Sequence, residues 1–224
     1  MKINKKYLNL IIVLIFTILL SLIKISFISG SHKLFFSGIN FALPVIGNFF
    51  GAFSGVIVFA FLLFKKLTVG GALTLGMPTL FATVYISLIN NKKNNLNKLY
   101  IFLLSVILPL SCMIIFSLNP VGNQAFIYSF YWFIPVILYF VNKNNLFFEY
   151  LTATFIAHAI GSIIWLYTVP MTASQWLGLV PVVFVERLVF ASGLYLVFMF
   201  TSLIEERVFN VFIKKNNKKI FIKN

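Results

Sequence analysis

The chain has 224 residues, of which 61% are hydrophobic and 10% charged, and its mean hydropathy of +1.01 excludes an ordinary soluble domain. The net charge of +14 comes from lysines that lie at the ends of apolar runs, so it does not indicate nucleic-acid binding. We predict an all-α fold, a single integral membrane helical bundle over residues 1–224. Lipid forces a chain to satisfy its backbone hydrogen bonds internally, and the apolar runs are too continuous for a β-barrel. The single cysteine, Cys112, excludes an intrachain disulfide and a cysteine metal cluster.

Seven apolar segments follow one another along the chain, at about Tyr7–Ser29, Phe35–Phe64, Leu67–Ile89, Leu99–Ser117, Asn123–Val141, Leu146–Thr168 and Trp176–Leu203. The first is longer than the apolar core of a secretory signal, which spans about 7–15 residues, and no cleavage site of small residues follows it. We therefore interpret it as an uncleaved spanning helix.

Lysine-rich segments indicate which parts of the chain face the cytoplasm. They are residues 1–6, the loop at 90–98 and the tail at 204–224, which predicts that both termini lie inside. An even number of crossings must separate residues 1–6 from the loop at 90–98, yet three apolar segments lie between them. The prediction is six crossings with Leu67–Ile89 as a broken or re-entrant segment, because four helix breakers interrupt it. These are Gly70, Gly71, Gly76 and Pro78. The alternative splits Phe35–Phe64 into two short, broken crossings.

Three glycines in the sequence GNFFGAFSG are spaced four residues apart, namely Gly47, Gly51 and Gly55. On a continuous helix this spacing places them on one face, where small residues let two membrane helices approach closely. One interpretation is a docking surface for a partner subunit. The other is helix packing within the chain.

The uncharged turns at 118–124 and 168–176 indicate the outer side, where aromatic residues are frequent. Tyr131 and Trp132 lie about nine residues into their helix, deeper than an interfacial aromatic belt requires. We expect both side chains to line a cavity that opens to the outside.

The last two apolar segments place ionisable residues at the depth of a bilayer. A charged group there costs roughly 2.5–3.5 kcal/mol and marks a functional site by default. Four polar or aromatic residues at spacings of three or four share one helix face. They are Thr154, His158, Ser162 and Trp165.

Glu186 and Arg187 lie at a similar depth on the following antiparallel helix, so we expect His158 to meet one of them. Because they are consecutive, Glu186 and Arg187 diverge by about 100° around the helix and cannot pair ideally with each other. Arg187 is then expected to face a substrate carboxylate or phosphate. The alternative is a buried polar network that only fixes helix packing.

The sequences GAFSG at 51–55 and AHAIG at 157–161 resemble the serine and histidine motifs of rhomboid intramembrane proteases. They lie about 100 residues apart, roughly twice the separation in that family, and His32 is the only other histidine. A catalytic dyad would require a hydrogen bond between Ser54 and His158. Proteolysis is therefore the third hypothesis for this chain.

With six predicted crossings and the sequence FALPVIGNFFGAFSGVIV, the chain resembles a substrate-binding S component of energy-coupling-factor transporters. The resemblance covers most of the chain in architecture and is specific in sequence around Pro44–Gly55, where a proline precedes spaced glycines. It implies a bacterial six-helix membrane protein that captures a small solute from outside. Such a protein docks on a transmembrane coupling subunit that bears two ATPases.

We therefore expect a non-enzymatic substrate-binding subunit of a bacterial importer in the inner (cytoplasmic) membrane. Its expected partners are a small-molecule solute, membrane lipid and a coupling subunit with ATPases, with no cofactor and no metal. No P-loop sequence occurs, so ATP hydrolysis would come from the partners. The expected substrate-binding residues are Tyr131, Trp132, Thr154, His158, Ser162, Trp165, Glu186 and Arg187. The alternative is a non-transporting assembly protein of similar helix count, of the rod-shape-determining type, which would bind membrane partners and no solute.

Overall fold

The computed structural model describes residues 9, 11–13, 15, 18–19, 22, 24–29, 32–37, 43–54, 56–57, 60, 69–89, 94–142 and 144–221. Over 24–29, 32–37, 69–75 and 209–221 it describes the backbone alone. The elements are β1 (Lys24–Ser29), β2 (His32–Ser37), a 3-10 turn (Leu43–Val45), α1 (Ile46–Phe50), α2 (Val69–Ile89), α3 (Asn95–Leu118), α4 (Pro120–Gln124), α5 (Phe126–Val141), α6 (Leu146–Thr168) and α7 (Ala173–Phe221).

Apolar helices dominate the described part of the chain. Three of them are long and apolar enough to cross a membrane, namely α3, α6 and the portion Ala173–Val208 of α7. The portion Gly76–Ile89 of α2 and the whole of α5 are shorter apolar helices. The prediction of a bundle of apolar helices is thereby confirmed in its coarse form, and six crossings remain a prediction.

The first apolar segment is not one helix over Tyr7–Ser29. Its described helical residues reach Leu19, and Lys24–Ser29 forms β1, which pairs antiparallel with β2 from Lys24 opposite Ser37 to Ser29 opposite His32. The sequences KISFIS and HKLFFS alternate β-branched or aromatic residues with polar ones in part, and a two-residue connection that contains glycine favours a hairpin. The length of the apolar run alone did not predict this preference for a β-strand.

The segment Phe35–Phe64 is interrupted, as the alternative interpretation required. After β2 the described chain resumes with the 3-10 turn at Leu43–Val45 and continues into α1, which ends where Gly51 adopts a φ of 78°. Glycine tolerates this left-handed backbone because it has no Cβ. Whether either part crosses the bilayer remains a prediction.

The prediction of a break within Leu67–Ile89 is wrong. The helix α2 runs continuously for 21 residues with Pro78 inside it. At 1.5 Å per residue it is about 32 Å long, close to the thickness of the hydrocarbon core. Membrane helices tolerate internal proline and glycine where neighbouring helices support them. Here Pro78 packs beside Gly161 of α6, where even an alanine methyl would make only an ordinary contact with the proline ring.

The helix α6 is the centre of the bundle. It packs against α2, α3, α5 and α7, and most of its side chains from Glu149 to Ser162 are buried. At its N-terminus Asn145 caps the helix by accepting from the Phe147 N–H, and Glu149 accepts hydrogen bonds from Tyr85 of α2 and from Asn142. These contacts fix the rotation of α6, which determines where its polar face points.

Candidate functional site

His158 lies in a fully packed aromatic cluster between α5 and α6. The indole Nε1 of Trp132 donates to His158 Nδ1 at 3.1 Å, and Tyr128 Oη lies 2.7 Å from His158 Nε2. Trp132 is fully buried and His158 is 8% exposed. Phe116 of α3 and Trp176 of α7 pack edge-on against one another and close the cluster. The site is therefore filled by its own side chains around the imidazole.

The hydrogen bonds assign the histidine tautomer. An indole N–H can only donate, so His158 Nδ1 must accept, and in the neutral ring the proton then sits on Nε2. Nε2–H donates to Tyr128 Oη, which leaves the phenol hydroxyl to donate toward Ser162 Oγ at 3.2 Å. Both imidazole nitrogens are occupied, so His158 presents no free lone pair to a metal in this arrangement.

A second set of polar contacts joins α6 to α7 one turn away. Arg187 Nη2 lies 2.6 Å from Glu186 Oε1, and Arg187 Nη1 donates to the Thr154 carbonyl at 3.3 Å. The guanidinium also sits over the Phe190 ring, 4.6 Å from its centroid. The Glu186 and Arg187 side chains are only 6% and 11% exposed, so this ion pair is buried in the bundle.

The ion pair is close but poorly aligned. Glu186 Oε1 accepts no directed hydrogen bond despite the short separation, and Arg187 Nε has no partner. The divergence of consecutive helical residues explains this, because the two side chains must bend toward each other from different faces. The expectation that they cannot pair ideally is confirmed in geometry, although they do touch.

The two polar sets belong to one neighbourhood. Thr154 and His158 are four residues apart on the same face of α6, and Arg187 donates to the carbonyl of that same Thr154. His158 forms its hydrogen bonds with the α5 aromatic residues rather than with Glu186 or Arg187. The expected hydrogen bond between His158 and one of these two residues is therefore not formed.

An apolar groove of about 390 Å³ runs beside this neighbourhood between α5 and α7. It is lined by Ile127, Phe130, Tyr131, Ile134, Val180 and Phe184. Tyr131 Oη donates to the Val180 carbonyl at 2.6 Å across its floor. Of the two aromatic residues expected at a cavity, Tyr131 lines this groove, whereas Trp132 is fully buried behind it.

Most of the predicted site residues come together in the structure. Thr154, His158, Ser162, Trp132, Glu186 and Arg187 form the network, and Tyr131 lies at its edge. Trp165 does not join it, because its side chain is 39% exposed and lies on the outward side of α6, whereas the next residue, Leu166, is buried.

The glycine face predicted for partner docking has a different geometry. A methyl group on Gly47 would overlap the Thr83 carbonyl oxygen, so Gly47 serves close packing of α1 against α2. Gly51 lies at the end of α1 with open space where a side chain would be, so these two glycines do not share one helix face. Gly55 lies outside the described residues. Partner docking through this segment remains a prediction.

Two members of the site were missed by sequence reasoning. Tyr128 is the hydrogen-bond partner of both His158 and Ser162, and Trp176 packs on it with ring centroids 4.9 Å apart. Tyr128 lies four residues before Trp132, but Phe126–Trp132 is a 3-10 helix, so the α-helical spacing used for α6 does not predict which of these side chains share a face. Trp176 keeps a buried indole N–H without a partner, which no sequence signal reveals.

The geometry required for a protease dyad is not present between the two described residues. Ser54 Oγ donates to the Gly51 carbonyl at 2.5 Å, and the His158 nitrogens bond to Trp132 and Tyr128. No family model, curated protein or solved structure matches the chain. The resemblance to S components of energy-coupling-factor transporters therefore remains a prediction.

Proposed function

We propose that the protein binds a small solute within a bundle of membrane helices, as the substrate-binding subunit of a bacterial importer. In this proposal it lies in the cytoplasmic membrane with both termini inside. It takes its solute from the outer side and relies on partner ATPases. The observation that carries the proposal is the buried, misaligned ion pair of Glu186 and Arg187.

The depth of the pair supports this proposal. Arg187 lies 14 residues into α7, about 21 Å from its outer end, and His158 lies 10 residues from the end of α6, about 15 Å. Both distances fall in the middle part of a hydrocarbon core about 30 Å thick. Charged groups at that depth are costly, and in membrane proteins they commonly mark substrate or ion sites.

Mass spectrometry of extracts from the purified, detergent-solubilised chain tests the proposal. We expect one small molecule in near-stoichiometric amount, and we expect Arg187→Ala to lose it. Arg207→Ala is the matched control, because Arg207 is exposed on the same helix and should not affect retention. Absence of any retained solute, or equal retention by Arg187→Ala, would contradict the proposal.

A membrane assembly protein is the second candidate, and the packing around His158 favours it. The aromatic cluster encloses the imidazole, and the groove between α5 and α7 is a concave apolar surface against which a further membrane helix can pack by van der Waals contact. This candidate predicts no retained solute. It also predicts that Arg187→Ala lowers stability without altering the composition of the purified sample.

A further inference from the structure

One edge of the Arg187 guanidinium has hydrogen-bonding capacity that its present partner, Glu186, does not satisfy. The Nε–H and one Nη2–H of an arginine point along the same edge of the planar group and together match the two oxygens of a carboxylate. In this protein Glu186 approaches Nη2 at 2.6 Å without alignment, and Nε is buried with no hydrogen-bond partner. The edge is thus half occupied.

The rest of the guanidinium is held by the protein. Nη1 donates to the Thr154 carbonyl, and the flat face rests on Phe190. These two contacts come from α6 and from the next turn of α7, so they fix the orientation of the free edge without using it. Such pre-organisation lowers the conformational cost of binding.

We propose that this edge of Arg187 recognises the carboxylate of a monoanionic solute, which displaces Glu186 from Nη2. This inference rests on the proposed function and names its substrate class. A bidentate pair with an external carboxylate has two aligned hydrogen bonds, whereas the Oε1 of the consecutive Glu186 accepts none. A monoanion is favoured over a dianion, because Glu186 adds a negative charge beside Arg187.

The chain offers a direct spectroscopic readout of this edge. Its sequence contains two arginines, Arg187 and Arg207, so Arg207→Lys leaves Arg187 as the sole source of an arginine Nε–H signal. The probe is benzoate, and benzamide serves as its neutral isostere. We expect benzoate to shift the Nε–H resonance in ¹H–¹⁵N spectra of the detergent-solubilised protein, and benzamide to leave it in place.

Two variants measure the energetic consequence by titration with benzoate. Arg187→Lys keeps the charge but removes the planar fork, and we expect affinity to fall about tenfold or more. Glu186→Gln removes the competing carboxylate, and we expect affinity to rise. The second variant retains Arg187, so it tests the inference even where Arg187→Lys folds poorly.

The inference is overturned if benzoate leaves the Nε–H signal unchanged, if benzamide shifts it equally, or if Glu186→Gln weakens benzoate binding. Its failure is distinguishable from failure of the proposed function. A retained neutral or cationic solute that depends on Arg187 would remove the carboxylate assignment and leave solute binding intact. Absence of both a retained solute and benzoate binding would remove both.

Discussion

At the scale of single residues, Trp132 determines the hydrogen bonding of His158. Its indole N–H is the donor to Nδ1, and both groups are buried. Trp132→Phe keeps most of the ring volume but leaves that acceptor unsatisfied. We expect the free energy of unfolding to fall by about 1–3 kcal/mol, the usual cost of a buried polar group that loses its partner. Denaturant or thermal unfolding in detergent measures the loss.

The matched control is Trp165→Phe, because Trp165 is partly exposed on α6 and no hydrogen bond of its indole holds the network. Its effect should stay within about 0.5 kcal/mol. In a His32→Gln background, His158 is the only histidine, and its ¹⁵N spectrum at neutral pH should show a proton on Nε2. Equal destabilisation by the two tryptophan variants, or a proton on Nδ1, would contradict the assigned bonding.

Spacing along a helix predicted which residues share the polar face of α6, because Thr154, His158 and Ser162 are all buried on it. It could not predict that Trp165 is partly exposed while Leu166 is buried, since the pattern carries no information about where neighbouring helices lie. Helical spacing could not predict the hydrogen-bond partners of His158 either. A histidine surrounded by apolar sequence satisfies its nitrogens with whichever side chains the other helices present, and that choice depends on their rotation.

At the scale of elements, two glycines in contact with α2 predict opposite mutational effects. Gly47→Ala would drive a methyl group into the Thr83 backbone oxygen, so α1 and α2 must separate. We expect a loss of about 1–3 kcal/mol, as for other overpacked sites. Gly161→Ala would place its methyl 3.4 Å from Pro78 Cγ, an ordinary contact, inside a regular helix.

For Gly161→Ala we expect an unchanged or slightly raised stability, by at most about 1 kcal/mol, because alanine restricts the unfolded chain. Thermal unfolding of both variants under the same detergent conditions makes the comparison. A large loss for Gly161→Ala with none for Gly47→Ala would show that α2 packs differently from the arrangement described.

Elements were predicted well where long apolar runs meet clear charge boundaries, as for α6, whose predicted and observed limits are both Leu146–Thr168. Prediction failed where local and tertiary effects compete. Breakers in α2 suggested a turn, yet packing of Pro78 against Gly161 supports a continuous helix. In the first apolar segment, hydrophobicity alone predicted a helix, but its end forms the first strand of a β-hairpin.

At the scale of the whole molecule, the continuous α2 changes which segments are predicted to supply the six crossings. If α2, α3, α5, α6 and α7 each cross, the chain from Val69 onward accounts for five. A cytoplasmic N-terminus and a cytoplasmic loop at 90–98 then require residues 1–68 to contribute one net crossing. Lys65 and Lys66, just before α2, would then lie near its outer end, against the positive-inside rule, whereas a re-entrant α2 keeps them inside. Six crossings therefore remain a prediction, and the sidedness of the two ends of α2 decides between the two paths.

Cysteine labelling in intact cells tests this arrangement, because Cys112→Ser gives a background without cysteine. Asn123→Cys and Ser174→Cys lie at exposed positions near the predicted outer turns and should react with a membrane-impermeant maleimide. Asn95→Cys should react only after the membrane is permeabilised. Val69→Cys, at the opposite end of α2, should react from outside, since a helix of 21 residues is long enough to carry the chain across. Protection of both Val69→Cys and Asn95→Cys in intact cells, followed by labelling of both on permeabilisation, would instead place the two ends of α2 on the cytoplasmic side.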